Sequence, residues 1–154
     1  MASMIRLENA HVINAFRNFS GKETQFNPEG NRNFCVIIDN SEYADALARE
    51  GWNIRHTKPR NEDEEPTAYL QVKVSYKNYA PDVKMVSGNT ITKLDESTID
   101  ILDWADIDYV DIRISPSNWS YGGRSGVAAY LHEMYVVVSE DDFDRKYAGY
   151  EVRE

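Results

Sequence analysis

The chain has 154 residues, of which 42% are hydrophobic, a size and composition that predict one globular domain with its own core. Its formal net charge of −9 argues against attraction of the whole molecule to a polyanion, although the placement of charges matters more than their sum. The single cysteine, Cys35, excludes a disulfide within the chain and argues against a thiolate metal site. No leader sequence or membrane-spanning apolar run is visible, which predicts a soluble intracellular protein.

Acidic residues are concentrated in three blocks. Residues 95–111 hold seven acids and no base, residues 61–65 hold four acids, and residues 140–154 hold six acids against three bases. Carboxylates without histidine or a glycine-containing loop at suitable spacing are a weak metal signal. We therefore interpret these blocks as solvated surfaces and predict neither a metal nor another cofactor.

The first elements of the chain read as two strands and a helix. Residues 5–16 are rich in apolar and β-branched side chains and predict a long strand bent near Asn9, and residues 33–39 predict a second strand. Ser41 can cap a helix that presents Leu47 inward and stops at Gly51. Residues 52–58 then favour a further short strand.

A long loop, residues 17–34, joins the first two strands and is rich in turn-forming glycine, proline and asparagine. Its cations and aromatic residues are Arg17, Phe19, Lys22, Phe26 and Arg32. Cations that follow phosphates and rings that stack on bases are the components of a single-stranded nucleic-acid site. The alternative is a mobile hairpin loop whose two phenylalanines fold back onto the core.

Residues 69–77 alternate more regularly than any other part of the chain. Leu70, Val72, Val74 and Tyr76 are predicted to face the core, as in a half-buried strand. The opposite face carries Tyr69, Lys73 and Lys77. That face is either a nucleic-acid contact or the solvated side of an antiparallel strand, and exposed lysine also protects a strand against aggregation.

The second half of the chain predicts a hairpin, a short helix and two strands. Residues 83–86 and 90–94 pair across a tight turn, and residues 95–104 form a helix with Ile99, Leu102 and Trp104 facing inward. Residues 109–115 and 127–138 are the last two strands, with Arg113 facing outward. The glycine-rich segment between them, residues 116–126, is predicted to be a flexible hairpin loop.

That second loop carries Trp119, Tyr121 and Arg124. Large rings normally seek burial, so their presence at a hairpin tip requires a reason. A cross-strand aromatic pair that holds the hairpin is one explanation. We favour a stacking site, because Arg124 is adjacent and the glycines let a ligand approach closely.

These elements predict a mainly β protein built on a five-stranded OB-fold barrel, with an extra hairpin and two or three short helices. In that fold, single strands bind across the second and third strands, between two loops that correspond to the loops described above. We assign residues 1–139 to the OB-fold domain and residues 140–154 to an acidic, aromatic C-terminal tail, whose first part is predicted to be a helix packed on the barrel.

The sequence resembles the OB-fold single-stranded-DNA-binding proteins of tailed bacteriophages. The residues that carry the resemblance are Phe16-Arg-Asn-Phe-Ser-Gly21, Gly30-Asn-Arg-Asn-Phe34, Tyr69-Leu-Gln-Val-Lys-Val74 and the acidic, aromatic C-terminus. The resemblance implies a protein that coats single strands during phage replication and recombination, in the cytoplasm of the infected bacterium, without catalysing a reaction. It also implies that the tail recruits phage or host replication and recombination proteins, although Arg145, Lys146 and Arg153 make this tail more mixed in charge than is usual.

Our main hypothesis is therefore a binder of single-stranded DNA that tolerates any sequence. The predicted contact residues are Arg17, Phe19, Lys22, Arg32, Tyr69, Lys73, Lys77, Arg113, Trp119, Tyr121 and Arg124. The alternative is an acidic protein-interaction module, such as a DNA mimic or an inhibitor of a host enzyme. An enzyme is disfavoured, because His11, His56 and His132 lack a neighbouring nucleophile or ligand spacing. The oligomeric state, including a homodimer, is left open.

Overall fold

The computed structural model describes residues 2–25, 27–59, 61–77 and 80–139. The elements are β1 (Ile5–Ala10), β2 (Val12–Asn18), β3 (Arg32–Ile37), α1 (Ser41–Glu50), β4 (Ile54–His56), β5 (Ala68–Val74), β6 (Asp82–Ser87), β7 (Thr90–Leu94), a 3₁₀ helix (Ile99–Asp103), β8 (Ile107–Tyr121) and β9 (Arg124–Val138). None of the described helices is long and apolar enough to cross a membrane.

The strands form one mainly antiparallel sheet in the order β1-β8-β9-β5-β3-β2, in which only β5 and β9 run parallel along this path. The strands β1 and β2 are two halves of one bent strand. The bend contains Asn9, whose φ of 53° is left-handed and whose backbone N–H donates to Asp111 Oδ1 at 2.9 Å. The two halves of this bent strand thus pair with opposite edges of the sheet, β1 with β8 and β2 with β3. The first strand of an OB barrel is shared between two edges in the same way.

Among the described residues no ladder joins β1 to β2, so hydrogen bonds do not close the sheet there. The mainly β, OB-like architecture and the bend near Asn9 are nevertheless confirmed. The extra hairpin is also confirmed: β6 and β7 pair with each other, and β6 adds in parallel to the second half of β9.

The core lies inside the curved sheet, where alternate residues of each strand point inward. In β5 the inward residues Leu70, Val72 and Val74 are buried as the alternation predicted, while Gln71 and Lys73 between them are exposed. Phe19 and Phe34 are both fully buried and stack with their ring centroids 4.9 Å apart. These two rings hold the start of the first loop against the core.

The helices differ in part from the prediction. The α1 helix is capped by Asn40, whose side chain accepts from the Tyr43 N–H at 3.1 Å, so Ser41 is the first helical residue and not the cap. Gly51 ends the helix as predicted, with a φ of 106° that glycine adopts without strain. The described residues contain one α-helix and one short 3₁₀ helix. The predicted helix at the start of the tail lies outside the described residues.

Two local predictions near the end of the chain are wrong. Trp104 is 82% exposed instead of facing inward, because the predicted helix is a 3₁₀ turn that buries only Ile99 and Leu102. Residues 116–126 are a regular two-stranded ribbon instead of a loose loop. The ribbon reverses at Gly122 and Gly123, whose φ values of 59° and 79° suit a tight hairpin turn.

Candidate nucleic-acid interface

One row of directly paired residues crosses the outer face of the sheet. Asn18 of β2 lies opposite Asn33 of β3, Asn33 lies opposite Lys73 of β5, and Lys73 lies opposite Tyr130 of β9. Paired residues share a face, and Lys73 is exposed, so this row runs along the outside. We call the outward surface of β2, β3, β5 and β9 the outer face.

A groove with a volume of about 420 Å³ lies where the outer face meets the β8–β9 ribbon. Among its lining residues are Asn53, Gln71, Lys73, Trp119, Gly126 and Ala128. Trp119 is 45% exposed, so part of its ring is open to solvent. The Nζ of Lys73 lies 5.9 Å from the centroid of the Tyr130 ring, a weak cation–π contact that leaves the ammonium exposed. The groove therefore brings together an accessible indole and an ammonium group.

The base of the ribbon is fixed to the end of α1. The backbone N–H of Val127 donates to the carbonyl of Gly51 at 2.9 Å, and Trp52 forms a parallel bridge to Val127. Trp52 is buried and lines the bottom of the groove, with its Nε1 donating to Glu50 Oε2 at 3.3 Å. The groove is thus supported by regular structure on both sides.

A second aromatic surface lies at the other end of the outer face. Phe16 of β2 and Tyr69 of β5 stack with centroids 6.4 Å apart and planes inclined by 19°, and Phe16 is 55% exposed. Arg55 of β4 lies opposite Tyr69 and is exposed. We call these three residues the aromatic platform. An exposed ring beside a guanidinium can take a base and its phosphate.

Cys35 lies in the same part of the sheet, opposite Gln71, and is buried. Burial raises the pKa of its thiol to about 11, and the nearby positive charge of Arg55 opposes this shift. The thiol is therefore protonated and unreactive at neutral pH, as the sequence predicted.

Two predicted contact residues of the first loop point away from the outer face. Arg17 lies opposite the core residue Phe34, and its Nη1 donates to the carbonyl of Ala105 at 2.7 Å. Phe19 is fully buried, and its backbone N–H donates to the Asp103 carboxylate at 2.6 Å. These residues anchor the base of the loop to the segment after β7, so neither is available for stacking or for a phosphate in this arrangement.

Asparagine side chains hold together the described remainder of the first loop. The Asn27 amide donates to the carbonyls of Lys22 and Asn31 at 3.1 and 2.9 Å, and Asn33 donates to Asn27 Oδ1 at 3.1 Å. The Lys22 side chain is exposed on this framework. Phe26 lies outside the described residues.

Arg32 and Lys77 flank the first loop and the end of β5. The guanidinium of Arg32 lies 5.4 Å from the Tyr76 ring centroid and its Nη1 lies 3.7 Å from Glu96 Oε1. Only 18% of the Arg32 side chain is exposed, so this cation is largely engaged within the protein. Burial raises the pKa of the Tyr76 hydroxyl, against the effect of Arg32. Lys77 is exposed.

The three remaining predicted residues lie on β8 and β9. Tyr121 and Arg124 face each other across the turn of the ribbon, and Tyr121 is 85% exposed. Arg113 also faces outward, but it is six residues from Trp119 along β8, which is roughly 20 Å in a strand. Its Nε lies 3.8 Å from Glu133 Oε1. Arg113 therefore belongs to a different surface.

The structure brings together Tyr69, Lys73 and Trp119 on or beside the outer face, with Lys22, Lys77, Tyr121 and Arg124 exposed on the flanking segments. Sequence reasoning missed Phe16, Arg55, Tyr130 and Gly126. Phe16 ends the predicted first strand at an outward position, a signal that alternation could have revealed. Within the described ranges, no group of three or more histidine, cysteine or acidic residues is arranged to hold a metal ion.

Comparison with known proteins agrees with this geometry. A family model described as "Putative phage ssDNA-binding domain" matches residues 2–153. No individual curated protein matches the chain.

Two similar solved structures come from bacteriophage Enc34. Its single-stranded DNA-binding protein is 10% identical, with a TM-score of 0.57 over 92% of this chain and 84% of that one. The same protein in complex with ssDNA is 11% identical, with a TM-score of 0.56 over 92% of this chain and 89% of that one. At these identities the likeness concerns the fold, whereas the family model covers nearly the whole sequence. The chain belongs to the family of phage single-stranded-DNA-binding domains.

Proposed function

We propose that this protein binds single-stranded DNA along the outer face, between the first loop and the β8–β9 ribbon, without reading its sequence. The observation that carries the proposal is the groove in which Trp119 and Lys73 lie together, on a chain of this family. The indole offers a surface for any base, and the ammonium offers a charge for the backbone. Such a site coats and protects a strand and requires no catalytic group.

The aromatic platform extends the proposed path. Tyr69 and Lys73 are four residues apart on β5 and point to the same side, so they are separated by roughly 13 Å. A DNA strand that leaves the groove over Lys73 would next reach the aromatic platform, formed by Tyr69, Phe16 and Arg55. Lys22 lies at one margin, and Tyr121 and Arg124 lie on the ribbon at the other. Phage replication and recombination, in the cytoplasm of the infected bacterium, are the processes that we propose for this activity.

The test is a titration of the full chain with oligo-dT at low and at high salt. Binding is measured by intrinsic tryptophan fluorescence and by gel shift. We expect binding at low salt, with a change in fluorescence as bases stack on Trp119. A random oligonucleotide of the same length should bind within a few-fold of oligo-dT, because a ring stacks on any base. Absence of binding to both oligonucleotides at low salt would contradict the proposal.

One observation favours the alternative, a protein-interaction module. Trp104 is 82% exposed and Ile101 is 44% exposed, and one turn of the 3₁₀ helix separates them within the acidic segment 95–111. Neither residue lines the groove, and an exposed apolar pair suits a partner protein more than an anionic DNA strand. If the protein is only such a module, or a DNA mimic, the oligo-dT titration will show no binding.

A further inference from the structure

Gly126 stands opposite Trp119 in the β8–β9 ribbon. A Cβ atom at Gly126 would lie 2.8 Å from Trp119 Cζ2 and 3.0 Å from both Cε2 and Nε1. The first separation is shorter than Cβ contacts in proteins show and the other two are at the tight limit, so the indole lies directly over the backbone of Gly126. The ring occupies the place where any other residue would put its side chain.

The backbone conformation gives no other reason for a glycine at this position. Gly21, Gly30, Gly51, Gly88, Gly122 and Gly123 all have a positive φ, whereas Gly126 does not. Among the described glycines, Gly126 is therefore the one at which the absence of a side chain makes room for a neighbouring ring and is not needed for an unusual backbone conformation. A large ring that covers a strand glycine also stabilises the pairing around it.

The two explanations for Trp119, a support for the hairpin and a stacking surface, are therefore compatible. One side of the indole rests on Gly126, and Trp119 as a whole still keeps 45% of its surface exposed beside Lys73 and Gln71 in the groove. A ring held in this way loses little conformational freedom when a base stacks on it, which favours binding.

We propose that Gly126 is a positioning residue for single-strand binding, which acts by seating Trp119 flat on the ribbon. This inference rests on the proposed function. A methyl group at residue 126 would have to push the indole away, because its nearest neighbours are ring atoms and the ring lies on a paired strand. Gly126→Ala should therefore weaken oligo-dT binding through Trp119, while the rest of the groove stays in place.

The experiment is a double-mutant cycle on the full chain with Gly126→Ala, Trp119→Ala and both changes together. Ser120→Ala is the matched control, since Ser120 is exposed on the same ribbon, neighbours Trp119 and is not among the residues that line the groove. Trp119→Ala should reduce oligo-dT affinity roughly five- to 150-fold, the range for one stacked base. Gly126→Ala should reduce it by a smaller but clear factor, at least about threefold, and should have no further effect when Trp119 is absent.

A second measurement follows the ring itself. In a Trp104→Phe background, which removes the other exposed indole, iodide should quench the fluorescence more strongly after Gly126→Ala, and the melting temperature should show that all variants are folded. Unchanged oligo-dT affinity in Gly126→Ala would overturn the inference and leave the proposed function intact. An equal loss in the Trp119→Ala background would also overturn it, because Gly126 would then act without the ring. If the unmodified protein does not bind oligo-dT, the proposed function fails and this inference fails with it.

Discussion

Lys73 and Arg113 are both basic residues that face outward from a strand, yet their surroundings differ. Lys73 lines the groove beside Trp119, whereas Arg113 lies near Glu133 with 3.8 Å between Nε and Oε1. A cation that already faces a carboxylate contributes less to the affinity for a phosphate, because DNA binding must first separate that ion pair. Whether a cation is available to contact DNA therefore depends more on its burial and its partners than on its charge.

This difference predicts unequal effects of two alanine substitutions. Lys73→Ala should lower oligo-dT affinity by about 0.5–1 kcal/mol, roughly two- to fivefold, the scale of one exposed charge contact. Arg113→Ala should leave affinity unchanged and cost at most a few tenths of a kcal/mol of stability, since its ion pair is partly exposed. Fluorescence titration and thermal melting of both variants check this. Equal losses of affinity in the two variants would contradict this prediction and indicate that the DNA contacts both Lys73 and Arg113.

At the scale of elements, the β8–β9 ribbon and the first loop are the two walls of the proposed site. The ribbon is the end of the longer pairing between β8 and β9, which runs from Ile107 opposite Val138 to Tyr121 opposite Arg124. The first loop is tied down at its base, where the Asp103 carboxylate accepts from Phe19 and Ser20 N–H groups at 2.6 and 3.1 Å. Both walls are thus held by contacts within the protein, an arrangement that favours a low entropy cost of binding.

The C-terminal tail, residues 140–154, lies outside the described residues, and its behaviour is predicted from sequence. It holds six acids against three bases, and an anion near a cationic groove competes with the nucleic-acid backbone. Removing residues 150–154 should therefore tighten oligo-dT binding slightly, at most about twofold at low salt, with an almost unchanged melting temperature. Weaker binding after this short cut would make the tail part of the site.

A longer deletion, from residue 140, separates two further possibilities. Phe143 and Tyr147 are four residues apart, a spacing that places both on one face of a helix. If that face packs on the barrel, the longer deletion should lower the melting temperature. An unchanged melting temperature would instead show that the whole tail is a free arm, as a partner-recruiting segment would be.

At the scale of the whole molecule, the fold was largely predictable because its information is local and periodic. The alternation in β5 and the apolar run of β3 are visible without knowledge of the partners. The ribbon was mistaken for a loop because both of its sides are solvated near the tip, so no alternation marks it. Its glycines suggested flexibility. In the structure Gly122 and Gly123 form a tight turn, and the indole of Trp119 packs on Gly126.

The site was predictable only in part, because the partners that engage a cation come from distant parts of the chain. Arg17 is bound by the carbonyl of Ala105, 88 residues away, and Arg32 by Tyr76 and Glu96. No local pattern reveals these contacts. The exposure of Lys73 and Trp119 was predictable, because Lys73 lies on an alternating strand and Trp119 is a large ring near a hairpin turn.

The last prediction concerns how the protein combines a net charge of −9 with affinity for an anion. The exposed cations on and around the outer face are Lys22, Arg55, Lys73, Lys77 and Arg124. The block of acids at 95–111 lies on other segments, and one of its members, Glu96, faces Arg32. We therefore expect these five cations to attract the DNA backbone locally, against the repulsion that the net charge of −9 exerts on a polyanion.

Each phosphate neutralised on a single strand contributes a slope of about −0.7 to the plot of log affinity against log salt. If all five cations take part, the slope should approach about −3.5, and in Lys73→Ala it should become shallower by about 0.7. Titrations with oligo-dT across a series of NaCl concentrations measure both values. A slope near zero, with affinity kept, would mean that stacking alone holds the strand and that these cations do not contact its backbone.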